Sequence, residues 1–159
     1  MKTHEPSLLT YNLFQMNDKM NLSIPTNFAL CLHTHCPMAK TCLHQIAFCR
    51  HAELGTHLRL LNPTHCSPSS QCSHYLSNIQ TTFARGFKNF QKQMFPDQYK
   101  KFMSYLILYF GRNAYFMRRR GDLALSPDEQ TIIYAALKKS GVNKKLEFDN
   151  YEEDYLWKS

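Results

Sequence analysis

The stretch from Cys31 to Cys72 constrains this chain more than any other. It holds all six cysteines and six of the eight histidines, and neither residue type occurs after His74. Soft metal-binding side chains are therefore confined to the front half. The segment reads Cys31-Leu-His-Thr-His-Cys36-Pro-Met-Ala-Lys-Thr-Cys42, and Cys49, Cys66 and Cys72 follow. Zinc takes four S or N ligands at about 2.0–2.3 Å, and a structural site leaves none of the four positions open. Three closely spaced cysteines and a distant fourth can close such a shell. Pro37 stiffens the turn after Cys36 because it fixes φ and removes a donor.

Thr41–Arg50 has the apolar spacing of a short helix, with Leu43, Ile46 and Ala47 on one face. Cys42 would then stand at the helix N-terminus, where the peptide dipoles favour a thiolate. The expected ligand set is Cys31, Cys36, Cys42 and Cys72. Cys49 and Cys66 are left over, and His33, His35, His65 and His74 are the substitutes. An iron–sulfur cluster, ordinary buried thiols and disulfides are the alternatives to zinc.

These residues resemble an uncharacterised family of small cysteine-rich proteins from gut bacteria. The resemblance runs through Phe28-Ala29-Leu30-Cys31, His35-Cys36-Pro37-Met38-Ala39, Cys42-Leu43, Asn62-Pro63 and Cys72 with Tyr75. It continues with Phe110-Gly111-Arg112, Ala114-Tyr115-Phe116, Arg118, Leu125-Ser126-Pro127-Asp128-Glu129-Gln130, Phe148-Asp149, Tyr151 and Trp157. It implies that Cys31, Cys36, Cys42 and Cys72 belong to the family pattern, and that Cys49 and Cys66 are individual to this chain. His44 stands where the pattern tends to have Arg, and Ser73 where Pro is more usual. The resemblance implies no activity.

Charge divides the rest of the chain. The formal net charge is +7. Nine Lys and Arg face one acid, Asp97, between Arg85 and Arg120, whereas Glu147–Asp154 carries five acids and no base. A basic centre beside an acidic tail points to a polyanionic partner or to pairing of the two within the chain. No apolar run reaches the roughly 18 residues of a membrane span. No basic flank precedes an apolar stretch at the N-terminus, so the expectation is a cytoplasmic protein with reduced cysteines and no membrane partner.

Periodicity predicts helices for the second half. Ile79, Phe83, Phe87 and Phe90 are spaced for one face of a helix opened by Ser77 or Asn78. A second helix is expected over Pro96–Phe110, with Pro at its first turn, Gly111 just past its end, and Tyr99, Phe102, Met103, Leu106 and Phe110 buried. A third covers Arg112–Arg120 up to Gly121. A fourth is opened by Ser126-Pro127-Asp128-Glu129, a capping box, and stops at Gly141. Leu54, Leu58 and Leu61 suggest a helical turn inside the loop-like Ala52–Ser73. In the tail, Phe148, Tyr151 and Tyr155 are helically spaced and should dock on the protein's own core.

The expected fold class is mainly α, an irregular cysteine-rich metal-knuckle region with a short helix followed by a small bundle of about four helices. The expected segments are a flexible 1–24, a cysteine-rich zinc-binding 25–76, a basic helical module 77–145 and an acidic aromatic tail 146–159. The three helices after Pro96 are weakly similar to a repressor-type helix-turn-helix. In that comparison Arg112 and Asn113 face bases, while Arg118, Arg119, Arg120, Lys138 and Lys139 face phosphates. DNA or RNA is thus one expected partner, and a protein docking on the acidic tail is the other. The region from Cys31 to Cys72 has one acid, Glu53, in no catalytic pattern. With no phosphate loop and no nucleophile elbow, the chain reads as a non-enzyme.

Overall fold

Local start and stop signals place the helices, and one long-range pairing places the strands. The computed structural model describes residues 24–51 and 57–157. The expectation for the N-terminal segment, and Leu54 of the expected turn, lie outside these residues. Contacts divide the described residues into two compact units. One reaches Ile79 and takes back Leu156 and Trp157, and the other is Gln80–Tyr155.

In the first unit, a 3-10 turn over Ala39–Thr41 leads into helix α1, Leu43–His51. Leu43, Ile46 and Ala47 are buried, as their spacing requires. Cys42 has extended φ and ψ, and its carbonyl accepts the N–H groups of Gln45 and Ile46 at 3.1 and 2.9 Å. It is therefore the cap of α1, at the N-terminal end where the sequence puts it. Trp157 packs edge-on against Phe28, with centroids 4.8 Å apart.

The second unit contains strand β1 (Gln80–Arg85), helices α2 (Pro96–Phe110), α3 (Arg112–Arg120) and α4 (Pro127–Lys139), and strand β2 (Asn150–Tyr155). Pro96 opens α2, and the Phe95 N–H donates to Gln98 Oε1 at 3.1 Å. Ser126 caps α4 reciprocally: its Oγ accepts from the Glu129 N–H, and Glu129 Oε2 accepts from the Ser126 N–H at 3.0 Å. Phe102 and Leu106 of α2, Tyr115 of α3, and Ile133 and Leu137 of α4 meet Phe87, Phe90, Leu125, Leu146 and Phe148 in one core.

Two expectations fail together. The segment after Ser77 is not a helix but β1, followed by a 3-10 helix over Lys88–Gln93. The tail is not helical either. Its residues form β2, antiparallel to β1, with Gln80 opposite Tyr155 and Arg85 opposite Asn150. The fold is helices with a two-stranded sheet rather than a pure bundle. Thr81, Thr82 and Phe83 suit a pleated strand, and the partner strand decides the outcome over local spacing. Ile79, assigned to a buried helical face, is 73% exposed. The tail does reach a core, since Phe148 is buried against Phe90 and Tyr134.

Gly86 ends β1 with φ +72°, and a Cβ there would lie 2.6 Å from Asp149 Oδ2. Asp149 accepts from the Lys88 N–H and Asn89 Nδ2, both at 2.9 Å. Gly86→Ala must displace this carboxylate and hold an L-residue at positive φ, so it should lose about 2 kcal/mol of stability. Gly111→Ala has a similar φ of +82° but meets nothing within 4 Å. Urea titrations of the two variants should therefore rank Gly86→Ala as clearly the less stable.

Candidate metal centre

Main-chain pairing at both ends carries the 62–75 loop across the first cysteines. At one end Leu30 bridges Leu60: the Leu30 N–H donates to the Arg59 carbonyl at 2.8 Å and the Leu61 N–H to the Leu30 carbonyl at 2.9 Å. At the other end Cys42 bridges Ser77, with the Leu43 N–H donating to the Leu76 carbonyl at 2.8 Å. Cys66 and Cys72 lie between these two fixed points. They are thereby brought to the segment that holds Cys31, Cys36 and Cys42.

Five of the six cysteines, Cys31, Cys36, Cys42, Cys66 and Cys72, wall one small cavity of about 20 Å³. That is room for one water or one ion. All four sequence-predicted ligands are among them. Cys49 is elsewhere on α1, accepting from Gln45 Nε2 at 3.5 Å. Cys66, left over in the sequence reading, is the central one. Its sulfur lies 3.9 Å from that of Cys31 and 4.0 Å from that of Cys72. All six cysteines are free thiols. A disulfide would need about 2.05 Å between sulfurs.

The polar wall of the cavity is incompletely satisfied. His33 Nε2 and Gln45 Oε1 are buried without a hydrogen-bond partner, and both residues line the cavity. Buried polar atoms of this kind call for an occupant. His44 also lines it and is 4% exposed. Its Nδ1 must carry the proton, because its partner is the Ala29 carbonyl. The ring stacks on Phe28 at 4.5 Å. Burial holds the His44 pKa below the usual histidine value, the Ala29 bond opposes this, and nearby His74 adds to the depression. Burial, above all, and then the neighbouring sulfurs of Cys31 and Cys72 push the Cys66 thiol up to about 12. The Cys66 thiol therefore stays protonated unless a cation sits beside it.

The side chains around the cavity are near one another but not drawn together. Among the described residues, no three or more His, Cys, Asp or Glu side chains already converge on a single point at metal-ligand range.

The basic residues of α3 and α4 are distributed differently from the helix-turn-helix comparison. Arg118 donates through Nε and Nη2 to Glu129 Oε1 at 3.2 and 2.6 Å, and its guanidinium lies 4.5 Å from the Phe110 ring centroid. Arg119 donates to Gln91, and Arg120 pairs with Asp122 at 2.8 Å. Arg112, Asn113, Lys138 and Lys139 are exposed.

No curated protein and no solved structure matches this chain. A family profile does, over residues 15–157, which takes in both units, the cysteine-walled cavity and the strand pairing. The chain belongs to the family of unknown function DUF6078.

Proposed function

We propose that this protein binds one zinc ion in the cysteine-walled cavity, and that the ion is structural, tying the 62–75 loop to the Cys31–Cys42 segment. The observation that carries this reading is the position of Cys66 between Cys31 and Cys72. Sulfurs held about 2.3 Å from a tetrahedral zinc stand about 3.8 Å apart. The two contacts, at 3.9 and 4.0 Å, are close to that edge length. Cys31, Cys66 and Cys72 supply three ligands. The fourth comes from Cys36, Cys42 or the unpartnered Nε2 of His33. Four protein ligands leave no open position for a substrate, so the role is support rather than catalysis.

Metal analysis of untagged protein, purified without chelator, tests this. The expected result is one zinc per chain, with four of the six thiols slow to react with a thiol reagent until a chelator is added, or three if His33 is the fourth ligand. Metal-free protein with thiol reactivity indifferent to chelator would mean ordinary packed cysteines. One iron per chain, or a coloured protein with iron and sulfide, would replace zinc by iron chemistry at the same sulfurs.

A further inference from the structure

An exposed aromatic and basic face lies in the second unit. The outer face of α2 carries Lys101, Tyr105, Leu108 and Tyr109 at helical spacing, and Arg112 opens α3 just past Gly111. Tyr105, Leu108 and Tyr109 are 42, 86 and 63% exposed, although the opposite face of the helix is fully packed. Lys139 of α4 extends over the Tyr105 ring, with its ammonium 6.0 Å from the centroid. Arg112 lies 5.6 Å from the Phe116 centroid and is itself exposed. Among the described residues Lys101, Arg112 and Lys139 make no ion pair. Elsewhere in this unit Arg85–Glu152, Arg120–Asp122 and Lys145–Glu147 are ion-paired. Here Lys139, without an ion-pair partner among the described residues, stands over an exposed ring.

We propose that this face binds single-stranded nucleic acid, with Tyr105 and Tyr109 as stacking platforms and Lys101, Arg112 and Lys139 on phosphates. Two exposed rings one helical turn apart, one of them under the Lys139 ammonium, with Lys101 on the same helix face, have the alternation that a flexible strand needs, bases on aromatic faces and backbone along positive charge. Leu108 protrudes between them and offers no groove to a peptide helix, which would need a pocket for its apolar anchors. A bilayer surface needs a continuous apolar face. Lys100, Lys101 and Ser104 interrupt this one. The inference does not depend on the metal. It also differs from duplex reading by α3, whose Tyr115 is wholly buried and whose Arg118 and Arg120 are already paired.

The test is fluorescence anisotropy of the full chain with a labelled oligoribonucleotide of about a dozen nucleotides, its DNA counterpart and the matching duplex. The strands are expected to bind more tightly than the duplex, and binding should weaken as salt rises. Tyr105→Ala and Tyr109→Ala should each weaken binding by about 5-fold to 100-fold without changing the salt slope. Lys101→Gln and Arg112→Gln should flatten that slope by about 0.7 each. All four positions are on the surface, and circular dichroism of the variants should match the parent.

Absence of binding at about 50 mM salt would overturn the proposal. So would tighter binding to duplex, or binding that survives both tyrosine substitutions and responds only to the cations. Binding to anionic vesicles or an acidic peptide at this face, with no competition from the oligonucleotide, would assign the surface to another class of partner and overturn it too.

Discussion

Cys66→Ser should release the zinc and unfold the first unit, whereas Cys49→Ser should leave both intact. Cys66 is 4% exposed and touches the sulfurs of two other cysteines, while Cys49 stands outside the cavity wall and accepts from the Gln45 amide. Zinc bound by four protein ligands contributes about 10–16 kcal/mol in small metal-folded modules. The net stability of a typical domain is about 5–15 kcal/mol. Among the described residues of the first unit, the large apolar side chains that are buried are Phe28, Leu30, Leu43 and Ile46, and most of 62–75 is exposed. The readouts are zinc per chain and the near-ultraviolet signal of Trp157, which packs on Phe28 in that unit. Cys66→Ala should give the same metal loss without adding a buried hydroxyl. A Cys66 variant that keeps a full equivalent of zinc would remove this residue from the ligand set. Cys36→Ser, Cys42→Ser and His33→Ala then identify the fourth ligand, since only the variant that loses a ligand loses zinc.

What could be read in advance follows the range of the forces involved. The ends of α2, α3 and α4 are set by Pro96, Gly111, Gly121 and the Ser126–Glu129 box, all within a turn of the helix they bound. They are legible residue by residue. Cys42 as the cap of α1 is legible for the same reason. β1 is not, because its hydrogen bonds go to a strand some 70 residues later, with Gln80 opposite Tyr155. Ile79, Phe83, Phe87 and Phe90 have helical spacing by coincidence, because Phe83 belongs to β1, Phe90 to the 3-10 helix that Phe87 precedes, and Ile79 to neither element. Cys66 was hidden by a related cause. The path of its loop is fixed by main-chain bridges at Leu30–Leu60 and Cys42–Ser77, and main-chain hydrogen bonds leave little trace in side-chain identity. The one available sign was its place in the same stretch as the other cysteines that wall the cavity. The basic run Arg118–Arg120 misleads in the opposite direction. Its charge is plain in the sequence, but its partners Glu129, Gln91 and Asp122 come from other segments or from past the end of the helix.

Glu129→Ala follows from that last point and should be among the most damaging changes in the second unit, at about 3 kcal/mol. One carboxylate has two tasks. Its Oε2 accepts the Ser126 N–H and closes the capping box of α4, and its Oε1 accepts both Nε and Nη2 of Arg118. The side chains of Arg118 and Glu129 are only 14% and 22% exposed, so water cannot replace the lost partner in full. Removing the anion leaves a guanidinium between the Phe110 ring and the helices with one remaining bond, to the Ala114 carbonyl at 3.3 Å. Glu129→Gln retains the cap but weakens the charge-assisted pair, and should fall about midway. In Arg118→Met the cation is gone as well, and an apolar chain of similar length lies on Phe110. It should therefore cost less than Glu129→Ala, although it breaks the same pair. On melting, the Glu129→Ala midpoint should drop by roughly 15 °C for a unit of this size. If Arg118 were instead held for a phosphate, Glu129→Ala would free it, leave stability nearly unchanged and strengthen oligonucleotide binding. A melt and a binding isotherm on the same variant separate these outcomes.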